Sequence, residues 1–460
     1  MKSFAALCAF GAAIAPTFAG VAPRQQSKGS LPPVTVRGNA FYAGDKRFYM
    51  RGVAYQPGGA SDAKDPLLDL ESLRRDVKNF KDLGINTIRI YTIDNSENHD
   101  EGMKMLDDAG IYLALDANTP AYSLNRENAT TLHQSYNDVY LQSVFATIDQ
   151  FANYNNLLLF FSGNEVINAK NNTNAAPYIK AVTRDMKQYI SNRHSRQIPV
   201  GYSAADVAEV IKQQALYFDC GTEDERADFF AFNDYSWCDK EDGLQTFEGA
   251  AWDRKVETYK NFPRPIFLSE HGCTEPKRQW GEVAALFSTK MSSVYSGGLA
   301  YEYTVEPNGF GIVDIKNGKI EPNGDFDLLK AAYAKAKDPS GDGGARMNGK
   351  ASQCPPKDDD WEVTTTKLLA MPEGARKFMD DGAGEGPGLD GTDSSHWMGE
   401  PSTETAEPGS GQATRTPTGG AGPASTGGAE EGAAVMGAEV PMRFLGLIAA
   451  SMVFGAALVF

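Results

Sequence analysis

Two apolar runs in this sequence end on carboxylates. NLLLFFSGNE (156–165) closes on Glu165, and PIFLSEHGC (265–273) carries Glu270 straight after Ile-Phe-Leu-Ser. A carboxylate in that position is costly to desolvate unless a partner or a reaction uses it. Two such groups at one place are the machinery of glycoside cleavage: one acid protonates the leaving oxygen and the other carboxylate attacks the anomeric carbon. Taken singly, each glutamate also fits a structural ion pair or a cap. Taken together, Glu165 and Glu270 are the candidate catalytic pair. Asn164 suits the sugar hydroxyl beside the reacting carbon, through a hydrogen bond that strengthens in the transition state.

To face each other, the two stretches need a fold that gathers strand ends. Eight short runs rich in Ile, Leu, Val, Phe and Tyr read as strands: 48–55, 85–91, 111–118, 156–165, 197–203, 228–237, 265–272 and 298–304. Most lack strict alternation, as strands buried on both faces do. Amphipathic helices are predicted between several of them, over 70–83, 139–154 and 177–191, the last opened by Pro177. The fold class expected is therefore α/β, a (β/α)8 TIM barrel, with its site at the C-terminal ends of the strands. A doubly wound sheet is the alternative. Gly58-Gly59 does not complete a phosphate-binding GxGxxG, so no nucleotide cofactor is expected. The other strand ends carry Tyr55, Gln56, Tyr91, Asp116, Asn118, Asn233, Tyr235, Tyr301 and Tyr303. Aromatic rings offer apolar platforms to sugars, while amides and carboxylates bind hydroxyls.

The ends of the chain read as processing signals. Residues 1–19 have Lys2, an apolar run and a small-residue Thr-Phe-Ala cleavage pattern, as a secretory signal peptide does. Phe444–Phe460 is almost wholly apolar and is preceded by the small residues Gly432-Ala433-Ala434 and a spacer, the order of a glycosylphosphatidylinositol (GPI) signal. Residues 435–460 are the expected propeptide and Gly432 the attachment site; a plain C-terminal membrane anchor is the competing reading. Between barrel (34–340) and anchor, 341–381 reads as a post-barrel segment. Residues 382–434, dominated by Gly, Ala, Ser, Thr, Pro and Glu, read as a disordered stalk. A net charge of -16 argues against a nucleic-acid partner and fits a neutral ligand such as a glycan. Once Cys8 is lost with the signal, four cysteines remain: Cys220, Cys238, Cys273 and Cys354. In an oxidising compartment these make two disulfides, with three pairings open. With no CxxC and scattered His, no metal is expected. Asn128 and Asn171 stand in N-glycosylation sequons.

At its motifs the chain resembles family 72 of the glycoside hydrolases, fungal GPI-anchored β-1,3-glucanosyltransferases. The resemblance runs through RGVAYQPGG (51–59), LGINTIRIYTID (83–94), FFSGNEVIN (160–168), IPVGYSAAD (198–206), FNDYSWC (232–238), FLSEHGC (267–273) and GGLAYEY (297–303). It implies a barrel that cuts internal β-1,3-glucan bonds and passes the new reducing end to the non-reducing end of another glucan chain, with Glu165 as acid/base and Glu270 as nucleophile. Plain endo-β-1,3-glucanase activity and non-catalytic glucan binding are the alternatives. The resemblance implies donor contacts from Tyr91, Asn164, Tyr301, Asp206 and the Asn118–Arg126 loop. It also implies the pairings Cys238–Cys273 and Cys220–Cys354, a monomer, and residence at the plasma membrane or cell wall. There are departures. Leu73 and Gly102 stand where a further disulfide is usual, His271 replaces a tyrosine, and Val207 and Ile211 replace an Asp and an Arg. No cysteine-rich module follows the barrel.

Overall fold

A computed structural model describes residues 28–413 apart from 61–62, 318, 365 and 390–397. The signal peptide, Gly432, the propeptide and the stalk beyond 413 lie outside the described residues.

Three short antiparallel strands open the fold: β1 (Val34–Arg37), β2 (Ala40–Ala43) and β3 (Lys46–Phe48). Eight parallel strands then close into a barrel: β4 (Met50–Ala54), β5 (Thr87–Ile90), β6 (Tyr112–Asp116), β7 (Leu157–Asn164), β8 (Val200–Ala205), β9 (Phe229–Asp234), β10 (Ile266–His271) and β11 (Tyr295–Ala300). β11 pairs back onto β4, so the sheet has no free edge and the expected (β/α)8 architecture holds. Phe41 of β2 packs its ring against Phe229 and Phe267, centroids 6.1 and 5.9 Å away, and Phe161 joins them. These rings plug the lower barrel with apolar surface and leave the upper half for polar side chains.

Helices α1 (Leu70–Leu83), α2 (Asp100–Asp108), α3 (Ala129–Ser135), α4 (Asp138–Phe151), α5 (Ala176–Arg193), α6 (Ile211–Phe218), α7 (Trp252–Tyr259), α8 (Gly281–Leu286) and α9 (Gly324–Lys335) surround the barrel, and β12 (Val313–Lys316) pairs with β13 (Lys319–Pro322) beside α9. Helix α1 shows why the sequence stops and starts where it does. The Asp69 side chain accepts from Ser72 N at its N-terminus, Gly84 takes φ 70° at its end, and Leu73, Phe80 and Leu83 face the core. The eighth strand begins at Tyr295 rather than at the expected 298. Ser296-Gly297-Gly298 lies inside the strand, and a Cβ on Gly297 would lie 2.1 Å from Met50 O. The glycine is there because β4 passes too close for a side chain.

The expected disordered stalk needs correction at its start. After α9 the chain stays on the barrel: Trp361 is fully buried against Tyr217, and α10 (Glu373–Asp381) packs on α4 and α5. Residues 383–389 and 398–413 follow as a strap. Gly388 N donates to Asn95 Oδ1, Glu400 N to Asp138 Oδ1, and Gly409 N to Glu225 Oε1 in the connection entering β9. The composition hid this because the docking is made by backbone amides on side-chain acceptors, with few apolar contacts. Covered on both sides, α4 and α5 are buried nearly all round. Both disulfides are present, Cys220–Cys354 and Cys238–Cys273, each with Cα atoms 5.1 Å apart. Where the usual third disulfide is missing, Leu73 is fully buried, and a side chain on Gly102 would meet Leu67 O at 2.6 Å.

Candidate active site

The barrel interior changes character above the phenylalanine plug. Arg89, in β5, is fully buried with its guanidinium 4.4 Å above the Phe161 ring and 4.3 Å from that of Tyr91. It donates to both oxygens of Asp116 at 2.9 and 3.1 Å, and through Nη1 to Glu270 Oε1 at 3.3 Å. Burial opposes its charge, but Asp116, Tyr91 and Glu270 outweigh that and hold Arg89 above its ordinary value. Beside it, Ser203 Oγ donates to Asn164 Oδ1 (2.7 Å) and shares a hydrogen bond with Ser269 Oγ (2.8 Å), while Ser269 Oγ bonds Asn233 Oδ1 (2.9 Å). Strands β7 to β10 are thus tied together by a layer of small polar groups, each satisfied by the next.

Glu270 sits on this layer. Tyr91 OH donates to its Oε1 at 2.8 Å and Tyr235 OH to its Oε2 at 2.7 Å. The side chain is buried, and desolvation pushes its carboxyl up to about 7. Arg89 and the two phenols pull it down, and the nearby Glu165 pushes it up. Glu165 follows the end of β7 with φ 49°, in the left-handed region that non-glycine residues rarely enter. Its N–H donates to Ser203 O at 2.8 Å, and its carbonyl accepts from Arg126 Nη1 at 2.6 Å. Backbone bonds on both sides therefore hold the unusual conformation. Asn233 Nδ2 donates to Glu165 Oε1 at 2.8 Å and bonds Asn164 Oδ1 at 3.3 Å. Both glutamates and Asn164 lie at the C-terminal ends of their strands, Glu270 inside β10 and Glu165 one residue past the end of β7 rather than within it.

An aromatic wall flanks the carboxylates. Tyr301 packs edge-on against Tyr91 (6.5 Å) and Tyr235 (6.4 Å), and Phe310 contacts both Tyr235 and Tyr301 at 5.5 Å. Asn118 lies half-buried near this barrel mouth, and its Oδ1, itself shut off from solvent, has no hydrogen-bond partner.

Other expected contacts are committed elsewhere. Asp116 gives both oxygens to Arg89. Gln56 Oε1 accepts from the N–H groups of Tyr91 and Thr92, and its amide donates to Lys64 O. It positions Tyr91, with its carbonyl oxygen taken twice and one of its two amide hydrogens committed to Lys64 O. Tyr55 and Tyr303 donate to Asp76 under α1, away from the mouth. Asp206 lies on the helix side of β8, bonded to Lys255 of α7 at 2.5 Å. Val207 and Ile211 pack against the core. His271 lies between barrel and α8, its Nδ1 3.1 Å from Glu282 Oε1 and its ring edge-on to Trp280.

The sequence reading missed Arg89, Phe310 and Glu302. Arg89 carried a usable signal, since an arginine inside INTIRIY needs a partner for the same reason Glu270 does. Glu302 is buried behind Tyr301, accepts from Asn308 Nδ2 at 2.7 Å, and is pushed up to about 7 by desolvation despite that bond. Nothing in GLAYEYT marks it as inward-facing. Among the described residues no cluster of His, Cys, Asp or Glu could hold a metal ion.

Comparison with known proteins gives concordant matches. A family model described as glucanosyltransferase, glycoside hydrolase family 72, matches residues 24–337. The 1,3-β-glucanosyltransferase gel1 of Aspergillus fumigatus is 54% identical over 371 residues, covering 80% of each chain. GAS5 of Saccharomyces cerevisiae, a protein of the same named activity, is 49% identical over 364 residues, covering 78% of this chain and 74% of its own. Among solved structures, a glutamate-to-glutamine variant of Saccharomyces cerevisiae Gas2, in complex with laminaritetraose and laminaripentaose, superposes with a TM-score of 0.67. It is 35% identical and covers 75% of both chains.

Proposed function

This chain belongs to the glycoside hydrolase family 72 glucanosyltransferases, and from that premise we propose that Glu270 is the nucleophile and Glu165 the acid/base of its reaction. The enzyme is a 1,3-β-glucanosyltransferase that remodels glucan by transglycosylation. The observation that carries the assignment is the pair of strand-end carboxylates, each bonded from the end of β9: Asn233 to Glu165, and Tyr235, just past the strand, to Glu270.

In the first step a Glu270 oxygen bonds to the anomeric carbon as the glycosidic C–O bond breaks. Glu165 gives its proton to the departing oxygen, and the segment bearing the old reducing end leaves. Asn233 occupies Glu165 Oε1, which leaves Oε2 to carry that proton. In the second step Glu165 takes the proton from a hydroxyl at the non-reducing end of an acceptor glucan. That oxygen attacks the anomeric carbon and releases Glu270 as carboxylate. Arg89, Tyr91 and Tyr235 hold Glu270 as an acceptor of hydrogen bonds and stabilise it as a leaving carboxylate. The Tyr91–Tyr301–Tyr235–Phe310 wall gives the sugars apolar faces and keeps water from the intermediate. Asn164, Asn118 and Arg126 line the donor side.

Residues 1–19 serve as a secretory signal, and residues 435–460 as a propeptide replaced by a GPI anchor near Gly432. The barrel with its strap is then a monomeric cell-surface domain bearing glycans at Asn128 and Asn171. Both asparagines are exposed. Asn128 Oδ1 caps α3 through Thr130 N and Thr131 N, which leaves Nδ2 for the sugar.

The test is product analysis on a reduced laminari-oligosaccharide. Products longer than the substrate are expected from the wild type. Glu165→Gln is expected to lose about 100- to 10,000-fold, the usual worth of a general acid, and Glu270→Gln to form no glycosyl-enzyme. Shorter products alone sink the transferase reading, and an active Glu270→Gln sinks the assignment.

A further inference from the structure

Three consecutive residues at the end of β9 serve both carboxylates. Asn233 bonds Glu165, Tyr235 bonds Glu270, and between them Asp234 faces the opposite way, towards α7. Alternation along the strand requires this: Phe232, two residues earlier, packs on Tyr259 of α7. Asp234 is fully buried, so its charge needs partners. Its Oδ1 accepts from Ser236 N (2.9 Å) and Ser236 Oγ (2.6 Å), a turn that closes around Tyr235. Its Oδ2 accepts from Lys255 Nζ at 2.7 Å. The same ammonium bonds Asp206 Oδ2 at 2.5 Å and Ser236 Oγ at 3.2 Å, so all three of its hydrogens are used.

We propose that Lys255 is a positioning residue for both catalytic carboxylates: by clamping Asp234 between the ends of β8 and β9, it sets the aim of Asn233 and Tyr235. The inference rests on the roles assigned above to Glu165 and Glu270. The clamp is stiff because three elements meet at one atom. β8 contributes Asp206, β9 contributes Asp234 and its turn, and α7 contributes the lysine, with the Phe232 ring 5.6 Å below it. Its surroundings give no substitute for the cation. Two carboxylates face it, and the hydroxyls of Tyr259 and Tyr295, buried around it, have no partner. Burial opposes the charge on Lys255, but Asp234 and Asp206 outweigh that and raise it above its ordinary value. Desolvation and Asp234 raise Asp206 in turn. Asp234 is buried on the side of β9 that faces α7, so the clamp acts on Glu165 and Glu270 through the geometry of the strand end.

Lys255→Met, Lys255→Arg and Asp234→Asn are compared with the wild type by laminari-oligosaccharide kinetics, at a temperature where melting curves show each variant folded. A misplacement of about 1 Å costs on the order of 100-fold. Lys255→Met is therefore expected to lower kcat by about 10- to 100-fold with KM within about threefold, and Lys255→Arg to recover most of the loss. A kcat within twofold of wild type, an effect carried by KM, or an arginine variant no better than methionine overturns the proposal. If Lys255→Met does not fold, Asp234→Asn decides: it keeps the volume while weakening both halves of the clamp. It is expected to lower kcat at least about tenfold with KM unchanged, and an unchanged kcat overturns the proposal. Glu165→Gln and Glu270→Gln, measured alongside, separate failure of the clamp from failure of the catalytic assignment.

Discussion

Tyr235→Phe isolates one hydrogen bond to Glu270, the proposed nucleophile, and leaves the ring in place. Glu270 must be ionised to attack, and its carboxyl is pushed up to about 7 by burial, against the pull of Arg89 and the two phenols. The rate is therefore expected to fall as pH drops through that value. Tyr235 OH donates to Oε2 at 2.7 Å, whereas Oε1 keeps Tyr91 and Arg89. A hydrogen bond to a charged group is worth about 1.5–3 kcal/mol, and about 1.4 kcal/mol corresponds to one pH unit. Losing it should move the acid limb of kcat/KM upward by about one to two units. The assay is a pH series of kcat/KM on a laminari-oligosaccharide for wild type and variant, with folding verified at each pH. If the limb stays in place while the rate falls at every pH, Tyr235 acts on the sugar and the electrostatic argument is wrong. Tyr91→Phe should shift the limb less, since Arg89 still donates to the same oxygen.

The same burial has a stability counterpart. Glu270 titrates above its unfolded value of 4.5, so the stability it contributes is fully present below 4.5 and lost as pH rises through about 7. Glu270→Gln escapes that loss, and calorimetry should find it more stable than wild type at pH 8, by up to about 3 kcal/mol, with the difference absent near pH 4. Replacing Cys238 and Cys273 together by alanine opens a 35-residue crosslink, worth about 3–4 kcal/mol of chain entropy. A clear loss of thermal stability is expected, and no loss would show that the polar layer alone holds β10. Trp361→Ala removes a fully buried ring from the post-barrel segment. Chemical denaturation should register a loss of about 3–5 kcal/mol, and a value under 1 kcal/mol would mean the segment folds apart from the barrel.

The two strand-end carboxylates and the barrel were legible because their signals are local. An apolar run needs no knowledge of its neighbours to read as a buried strand, and a carboxylate closing it is anomalous by itself. Gln56, Asp116 and Asp206 stand at the same kind of position, yet their partners come from other elements: the Tyr91 backbone, Arg89 and Lys255. Sequence showed the right residue types at the right height, but not which way each one faced or what had already bound it. The strap was illegible for a different reason. Its Gly, Ala and Pro residues carry no periodicity, and what holds it is the backbone itself, donating to Asn95, Asp138 and Glu225. His271 stood next to the nucleophile in sequence, but strand alternation sends it into the helix layer against Glu282, where it bears on the strand and not on the sugar.

The strap's last bonds also give the molecule a direction. Gly409 is fastened to Glu225, and Met371 N holds Gly411 O beside Asp185 and Gln188 of α5. Glu225 belongs to the connection that enters β9, at the end of the barrel opposite the one where Glu165 and Glu270 meet. The chain therefore departs from the rear of the catalytic domain. With the GPI anchor proposed above, tension on the tether would pull on that rear face and turn the open cleft outward. Reach and rotation about such a mooring, rather than any change in the cleft, would then set how far apart two glucan chains can lie and still be joined.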